Sequence, residues 1–328
     1  MSEPVILGLD VGGTKLAAGV YRDGDVDAFR VVPADAHEGP DPMIARLIDA
    51  GHAALAAVGI GPSDVDAVGV ATGGPLDPWR GIVLSPPNLP GWDAIPLAAR
   101  LEAAFGVPVV IENDANAAAL GEWRFGAGRG VDDLVYLTIS TGIGGGVVTG
   151  GRLMRGATGN AAELGHITAV PGGRPCPCRR RLGCLEAYAS GTAIAARAVE
   201  AGMPRGTTAR TVVDAVRAGD PIATRLWDET TEILGRAVAG LVNAFDPSLV
   251  LLGGGVTAAG DLLFEPVRRI VRAEAFEPMA SNVTVQPAGL GPEVGVWGGV
   301  AVALERALGG AAADAAQQAA GQREAARA

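Results

Sequence analysis

The sequence predicts an α/β protein built from two layered domains. The chain has 328 residues, room for about two domains at ~150 residues each. Two apolar stretches, one early in each half, share a plan of strand, glycine-rich turn and second strand. Around them, segments of helical and strand-like period alternate, as in sheets covered by helices.

Taken in order, "VILGLDVGGTKLAAGVY" alternates apolar residues, breaks at Gly12, Gly13 and Thr14, then resumes as the returning strand. "PMIARLIDAGHAALAAVGI" is helical by period, and Val65 to Val70 is a short buried strand. "LAARLEAAFG" is a helix closed by Gly106. "VPVVIEND" is a strand whose carboxyl end carries Glu112, Asn113 and Asp114, and "ANAAALGEWRFG" is the helix that follows at once. "DDLVYLTISTGIGGGVVTGGRL" repeats the first hairpin, with its turn at Thr141 to Gly146. "TEILGRAVAGLVNAF" is a long amphipathic helix, "SLVLLGG" a buried strand and "VWGGVAVALERAL" a closing helix. Residues 309–328 are low-complexity, rich in Ala, Gln and charge, which predicts a disordered or loosely helical tail. A Rossmann pattern needs a helix after its glycines. Here each glycine turn leads into a strand, and the P-loop pattern is absent.

Composition excludes several classes. A net charge of −10 argues against a general nucleic-acid binder. Arg179 to Arg181 form the one compact basic run, read as a solvated loop. No apolar run reaches the ~18 residues of a membrane span, and "MSEPVILGLD" lacks the basic start of a secretory peptide. Three cysteines cannot all pair within one chain. Together these features predict a reducing, cytoplasmic location.

All three cysteines, Cys176, Cys178 and Cys184, fall in "CPCRRRLGCLE", and His166 of "ELGH" lies ten residues ahead. Inert thiols and a metal site are the two options. The C-x-C-x5-C spacing with a histidine supplies the four ligands of a tetrahedral structural zinc. Concentration of the whole cysteine complement in nine positions favours the metal.

Asp10 stands at a strand end before Gly12, Gly13, Thr14 and Lys15. Glycine turns let backbone N–H groups approach phosphate oxygens, and a carboxylate can hold Mg²⁺ through water. An ordinary hairpin turn is the alternative. The second turn, with Thr141 and Gly142, favours a triphosphate held by both, and Gly254 and Gly255 after a strand leave bare backbone for an adenine. Asn113 and Asp114 sit at a strand's carboxyl end, where α/β crevices form, although Asp114 also suits a helix cap. Asn88 of "NLPGW", Glu163, His166 and Glu186 complete a set of amide, carboxylate and imidazole groups suited to sugar hydroxyls. One nitrogen of His166 would bind metal while the other faces the ligand.

From about Val5 to Leu308 the sequence resembles the ROK family of repressors, open reading frames and sugar kinases, within the actin-like ATPase superfamily. "GLDVGGTK" and "STGIGGG" resemble its two phosphate motifs, with Ser140 where a glycine is usual. "END" resembles its catalytic stretch, "ELGH" its sugar-and-zinc motif, and "CPCRRRLGCLE" its C-x-C-G-x-x-G-C-x-E. Arg179 replaces the first glycine of that last motif, and one extra residue separates Cys178 from Cys184.

The resemblance implies two actin-like (ribonuclease H-like) domains with an interdomain active-site cleft. They would span 1–118 and 119–295, with the zinc loop at 163–186 and the helix 296–308 packing back on the first. It implies phosphorylation of a hexose 6-hydroxyl by Mg²⁺-ATP, above all glucose to glucose 6-phosphate. Asp114 would be the base, with Asn88, Asn113, Glu163, His166 and Glu186 on the sugar. His166, Cys176, Cys178 and Cys184 would hold structural zinc. It also implies a homodimer or homotetramer. Another sugar (fructose, N-acetylmannosamine or N-acetylglucosamine) and a non-catalytic sugar-sensing role are the alternatives. The family's repressors add an N-terminal helix-turn-helix; here the phosphate strand starts at residue 5, and a kinase is expected.

Overall fold

A computed structural model describes residues 3–309, and the chain divides between two α/β units. One unit holds the described residues up to Arg129, the segment Arg155–Ala161 and the residues from Gly289 on. The other holds Gly130–Met154 and Ala162–Ala288. The tail expected at 309–328 lies, beyond Gly309, outside the described residues.

In the first unit the glycine turn joins β1 (Ile6–Val11) to β2 (Lys15–Arg22) as an antiparallel hairpin, with Ile6 opposite Tyr21 and Val11 opposite Leu16. Asp23 and Gly24, both at positive φ, turn the chain into β3 (Asp25–Pro33). No residue of that edge strand is fully buried, and it lacks the apolar alternation that marks β1 and β2. Helix α1 (Pro40–Ala57) leads to β4 (Ala67–Thr72), which pairs parallel to β1. A small hairpin, β5 (Leu76–Asp77) and β6 (Ile82–Val83), precedes α2 (Leu97–Phe105). As its sequence suggests, α2 ends at Gly106 in the left-handed conformation, whose N–H donates to the Glu102 carbonyl. Strand β7 (Val109–Asn113) then pairs parallel to β4, completing the order β3-β2-β1-β4-β7.

Leu47 of α1 and Leu101 and Phe105 of α2 join Leu7, Leu9 and Val70 in one buried core. The closing helix, Val294–Arg306, and α3 (Asp114–Phe125) also pack in this unit. The closing helix packs on β4 and on α3 through glycine. A Cβ on Gly299 would sit 2.5 Å from the Gly69 carbonyl oxygen, and one on Gly298 would sit 2.6 Å from that of Ala117. The expected domain boundary at residue 118 falls inside α3. The helix runs unbroken to Phe125 because its Ala117–Gly121 face is seated on Gly298.

The second unit repeats the plan. Strand β8 (Leu134–Ile139) and β9 (Ile143–Thr149) form the hairpin, and β10 (Arg152–Leu153) extends it. Helices α4 (Glu186–Ala189), α5 (Gly191–Glu200), α6 (Ala209–Arg217) and α7 (Pro221–Phe245) follow. Then come β11 (Leu249–Gly253), α8 (Asp261–Glu274), α9 (Met279–Asn282) and β12 (Thr284–Pro287). The sheet order is β10-β9-β8-β11-β12, with β11 parallel to β8 and to β12. Helix α7 starts ten residues before the predicted "TEILGRAVAGLVNAF". Asp220 caps it by accepting from the Ile222 and Ala223 N–H groups, and Pro221 occupies the first turn. Val135, Leu137, Leu234, Val238, Leu252 and Phe264 belong to its core. No described helix is long and apolar enough to cross a membrane.

Candidate active site and metal centre

In the first unit the Gly12 N–H donates to the Lys15 carbonyl at 3.0 Å, closing the first glycine turn. Thr14 and Lys15 are exposed beside it. The chain at Asn88 crosses close to this turn: a Cβ on Gly13 would sit 2.8 Å from the Asn88 carbonyl oxygen. The Asn88 side chain lies by Gly73, 3.2 Å from where a Cβ would be, and Asn113 Nδ2 lies 3.1 Å from the equivalent point on Gly74. The fold therefore brings Gly13, Asn88 and Asn113 around Gly73 and Gly74 at the end of β4. Sequence reasoning missed that pair; its signal was the adjacent glycines of "ATGGPLD" closing a buried strand.

The α3 cap is Asn113, not Asp114. Asn113 Oδ1 accepts from the Ala115 and Asn116 N–H groups at 3.0 and 3.1 Å. Asp114 is then the first helical residue, its carboxylate exposed and accepting the Ala115 N–H at 2.8 Å. Water reaches one side of this carboxylate, while protein crowds the others. That crowding pushes its pKa up, opposed by the Ala115 N–H. Burial pushes Asp10 up to about 7, the Asp114 charge adds to the rise, and Lys15 opposes it. Glu112, the third polar residue of "END", is fully buried and paired with Arg155 at 2.6 Å.

In the second unit the Ser140 N–H donates to the Gly142 carbonyl at 2.9 Å, shaping the second glycine turn, where Thr141 is exposed. Glu186, the first residue of α4, joins this turn: its Oε2 accepts the Ile143 N–H at 2.9 Å. A Cβ on Gly142 would sit 2.5 Å from the same oxygen. Gly254 follows β11 at φ 86°, against Ile139 at the end of β8, and Gly255 opens onto free space. Glu163 is exposed just ahead of the short 3₁₀ turn Leu164–His166. The Leu185 N–H donates to the Ile167 carbonyl at 3.1 Å, so His166 and Glu186 lie on adjoining segments.

Between those segments the four expected ligands meet. Donor atoms of His166, Cys176, Cys178 and Cys184 all lie within 4.8 Å of one another, and His166 Nδ1 lies 3.6 Å from Cys176 Sγ. Tetrahedral zinc with bonds of ~2.3 Å would set its sulfur ligands about 3.8 Å apart, so the donor set fits such a centre. With Nδ1 turned to the thiols, Nε2 is the nitrogen left for another partner. Thiolates are the binding form. Burial pushes Cys178 up, but N–H groups of Arg180 and Arg181 and the flanking thiols outweigh it and hold that thiol below its ordinary value. Burial pushes Cys176 and Cys184 up.

The extra residue is absorbed in a hairpin closed by the Pro175–Leu182 bridge, with Arg179 to Arg181 exposed. Arg179 stands at φ 58°, a left-handed conformation that strains any residue with a Cβ by ~1 kcal/mol. Arg179→Gly is accordingly expected to stabilise the loop by up to ~1 kcal/mol, read as slower metal loss to a chelator. Faster loss would show that the Arg179 side chain itself holds the loop.

A family model described as the ROK family matches residues 6–306. The glucokinase of Thermotoga maritima is 38% identical over 321 residues, covering 93% of this chain and 98% of that protein. The crystal structure of a ROK hexokinase from Thermus thermophilus matches with a TM-score of 0.80 at 41% identity, over 93% of this chain and 100% of that one. A ROK family glucokinase from Streptomyces griseus, crystallised in complex with glucose and AMPPNP, matches with a TM-score of 0.77 at 36% identity, over 96% of this chain and 99% of that one. Both α/β units thus take the actin-like ATPase fold of ROK kinases. With motifs, topology and near full-length similarity in agreement, the chain belongs to the ROK family.

Proposed function

We propose that the protein is an ATP-dependent glucokinase that phosphorylates the 6-hydroxyl of glucose. The observation that carries this is near full-length similarity to glucokinases in a chain that keeps both glycine turns, Asp10 and the Asn113–Asp114 corner. Asn88, Asn113, Glu163, His166 and Glu186 bind the sugar hydroxyls. Thr14, Lys15, Thr141 and the N–H groups at Gly12, Gly13 and Gly142 hold phosphate oxygens. Gly254 and Gly255 leave backbone bare for the adenine. Asp114 accepts the proton of the attacking hydroxyl, and the γ-phosphoryl group passes to that oxygen in line as its bond to the bridging oxygen breaks and ADP leaves. Asp10 would hold the magnesium of Mg-ATP, which when bound would neutralise phosphate charge. His166, Cys176, Cys178 and Cys184 would hold a structural zinc as its four protein ligands. On this proposal the enzyme is cytoplasmic and a homodimer or homotetramer.

The direct test is a coupled assay over a panel of hexoses with ATP and with polyphosphate. Glucose with ATP should give the highest kcat/KM. Faster turnover of an N-acetylated sugar would move the substrate, and sugar binding without turnover of any donor would make the protein a sensor.

A pH dependence follows from Asp10. Its pKa of about 7 lies above the usual carboxylate value of 3.8. Between those values the folded chain keeps a proton that the unfolded chain has lost. Asp10's contribution to stability therefore falls as pH rises from about 4 to 7. Function runs the other way, because only the ionised carboxylate serves magnesium. kcat/KM for Mg-ATP should climb as pH rises through about 7, and a profile flat from pH ~5.5 to ~8 would exclude Asp10 from that role.

A further inference from the structure

Glu112 lies two residues before Asp114, and its carboxylate is fully buried. Such a group persists only when paired and hydrogen-bonded. Its partner is Arg155, whose Nε donates to Glu112 Oε2 at 2.6 Å. The guanidinium's outer nitrogens meet Glu305 of the closing helix. The second Glu112 oxygen, Oε1, accepts the Asn113 N–H at 3.1 Å. Asn113 in turn caps α3 through the Ala115 and Asn116 N–H groups. A continuous series of polar contacts therefore runs from Arg155 to the turn that carries Asp114.

Arg155 comes from a distant part of the chain. It opens Arg155–Ala161, a segment of the first unit flanked on both sides by chain of the second. The far end of the segment is pinned as well. Asn160 accepts the Leu76 N–H at 3.0 Å and donates to the Leu76 carbonyl at 2.9 Å. Leu76 lies two residues past Gly74, beside which Asn113 Nδ2 is packed. Both ends of the segment thus brace the surroundings of Asn113.

We infer that Arg155 is a positioning residue for the reaction: through Glu112 and the Asn113 N–H it fixes the β7–α3 corner that presents Asn113 and Asp114. The inference rests on Asp114 being the base. Arginine suits the task because its planar fork serves two carboxylates at once, where lysine is a point charge.

The test compares kcat, glucose KM and thermal unfolding for Arg155→Met, Arg155→Lys, Glu112→Gln/Arg155→Met and Asp114→Asn. Misplacement of a reacting group by about 1 Å can cost ~10²-fold in rate. Arg155→Met should lower kcat by roughly 10–100-fold with a much smaller change in glucose KM, and Arg155→Lys should fall between it and wild type. The double variant removes both members of the buried Glu112–Arg155 pair and leaves the half-buried Arg306 beside Glu305, so it should regain thermal stability relative to Arg155→Met but not kcat. Recovery of kcat together with stability would overturn the positioning role, because Arg155 would then act through stability alone. Near wild-type kcat in Arg155→Met beside an inactive Asp114→Asn would overturn it too. If Arg155→Met does not fold, the lysine and double variants decide by the same criteria. An active Asp114→Asn would remove the base assignment and this inference with it.

Discussion

Asp114→Asn is expected to lower kcat by ~10²–10⁴-fold, the usual cost of losing a general base. Glucose affinity should change far less, because the amide keeps an acceptor for the sugar hydroxyl. The fold should survive as well. Asn113, not Asp114, caps α3, and an amide oxygen at position 114 can still accept the Ala115 N–H. Unfolding free energy is therefore expected within ~0.5 kcal/mol of wild type. Single-turnover kinetics beside calorimetric glucose binding separate the two effects. A variant with near wild-type kcat would reduce Asp114 to a residue of the helix's first turn and remove the base from the mechanism.

Cys184→Ala should have the second largest effect. Cys184 is fully buried, two residues ahead of Glu186, and its segment bridges to Thr168 just past His166. Wild-type protein should carry one zinc per chain by elemental analysis, and this variant close to none. Without the metal, the segments bearing Glu163, His166 and Glu186 lose their common anchor. Hydrogen bonds involving charged groups contribute ~1.5–3 kcal/mol each, so loss of one or two should raise glucose KM by roughly 10–100-fold or more. The KM for ATP should move much less, since the glycine turn retains its own Ser140–Gly142 hydrogen bond. The second unit should stay folded, because its core of Leu137, Val238, Leu252 and Phe264 does not depend on the cysteines. Full activity from wild-type protein that contains no zinc would mean that the inserted residue has abolished the centre and that the loop holds its shape without metal.

What the sequence determined by itself is local in its physics. Period-2 apolar alternation broken by paired glycines marked both hairpins, β1–β2 and β8–β9. Helical period and a terminal glycine marked α2. A set of three cysteines and a histidine marked a candidate metal-ligand set, whose donor atoms the fold brings together. Each of these signals spans a few residues and survives in any one-dimensional reading. Where the signal was weak, elements were lost: β3 carries charge on an exposed edge, and the first ten residues of α7 were overlooked despite the cap at Asp220. The tertiary structure decided whatever depends on partners far apart in the chain. Gly69 and Gly299 sit inside a predicted strand and a predicted helix, and only the tertiary structure shows that their backbones touch. The sequence pointed to Asp114 as the helix cap, and only the geometry of the β7–α3 corner gives the cap to Asn113 and leaves Asp114 exposed. Glu112 looked like part of a polar site, yet it is buried because Arg155, from a segment that returns to this unit, neutralises it. Sequence period reports which face of an element is apolar, whereas the pairing of buried charges and the close approach of backbones are set when elements distant in the chain pack together.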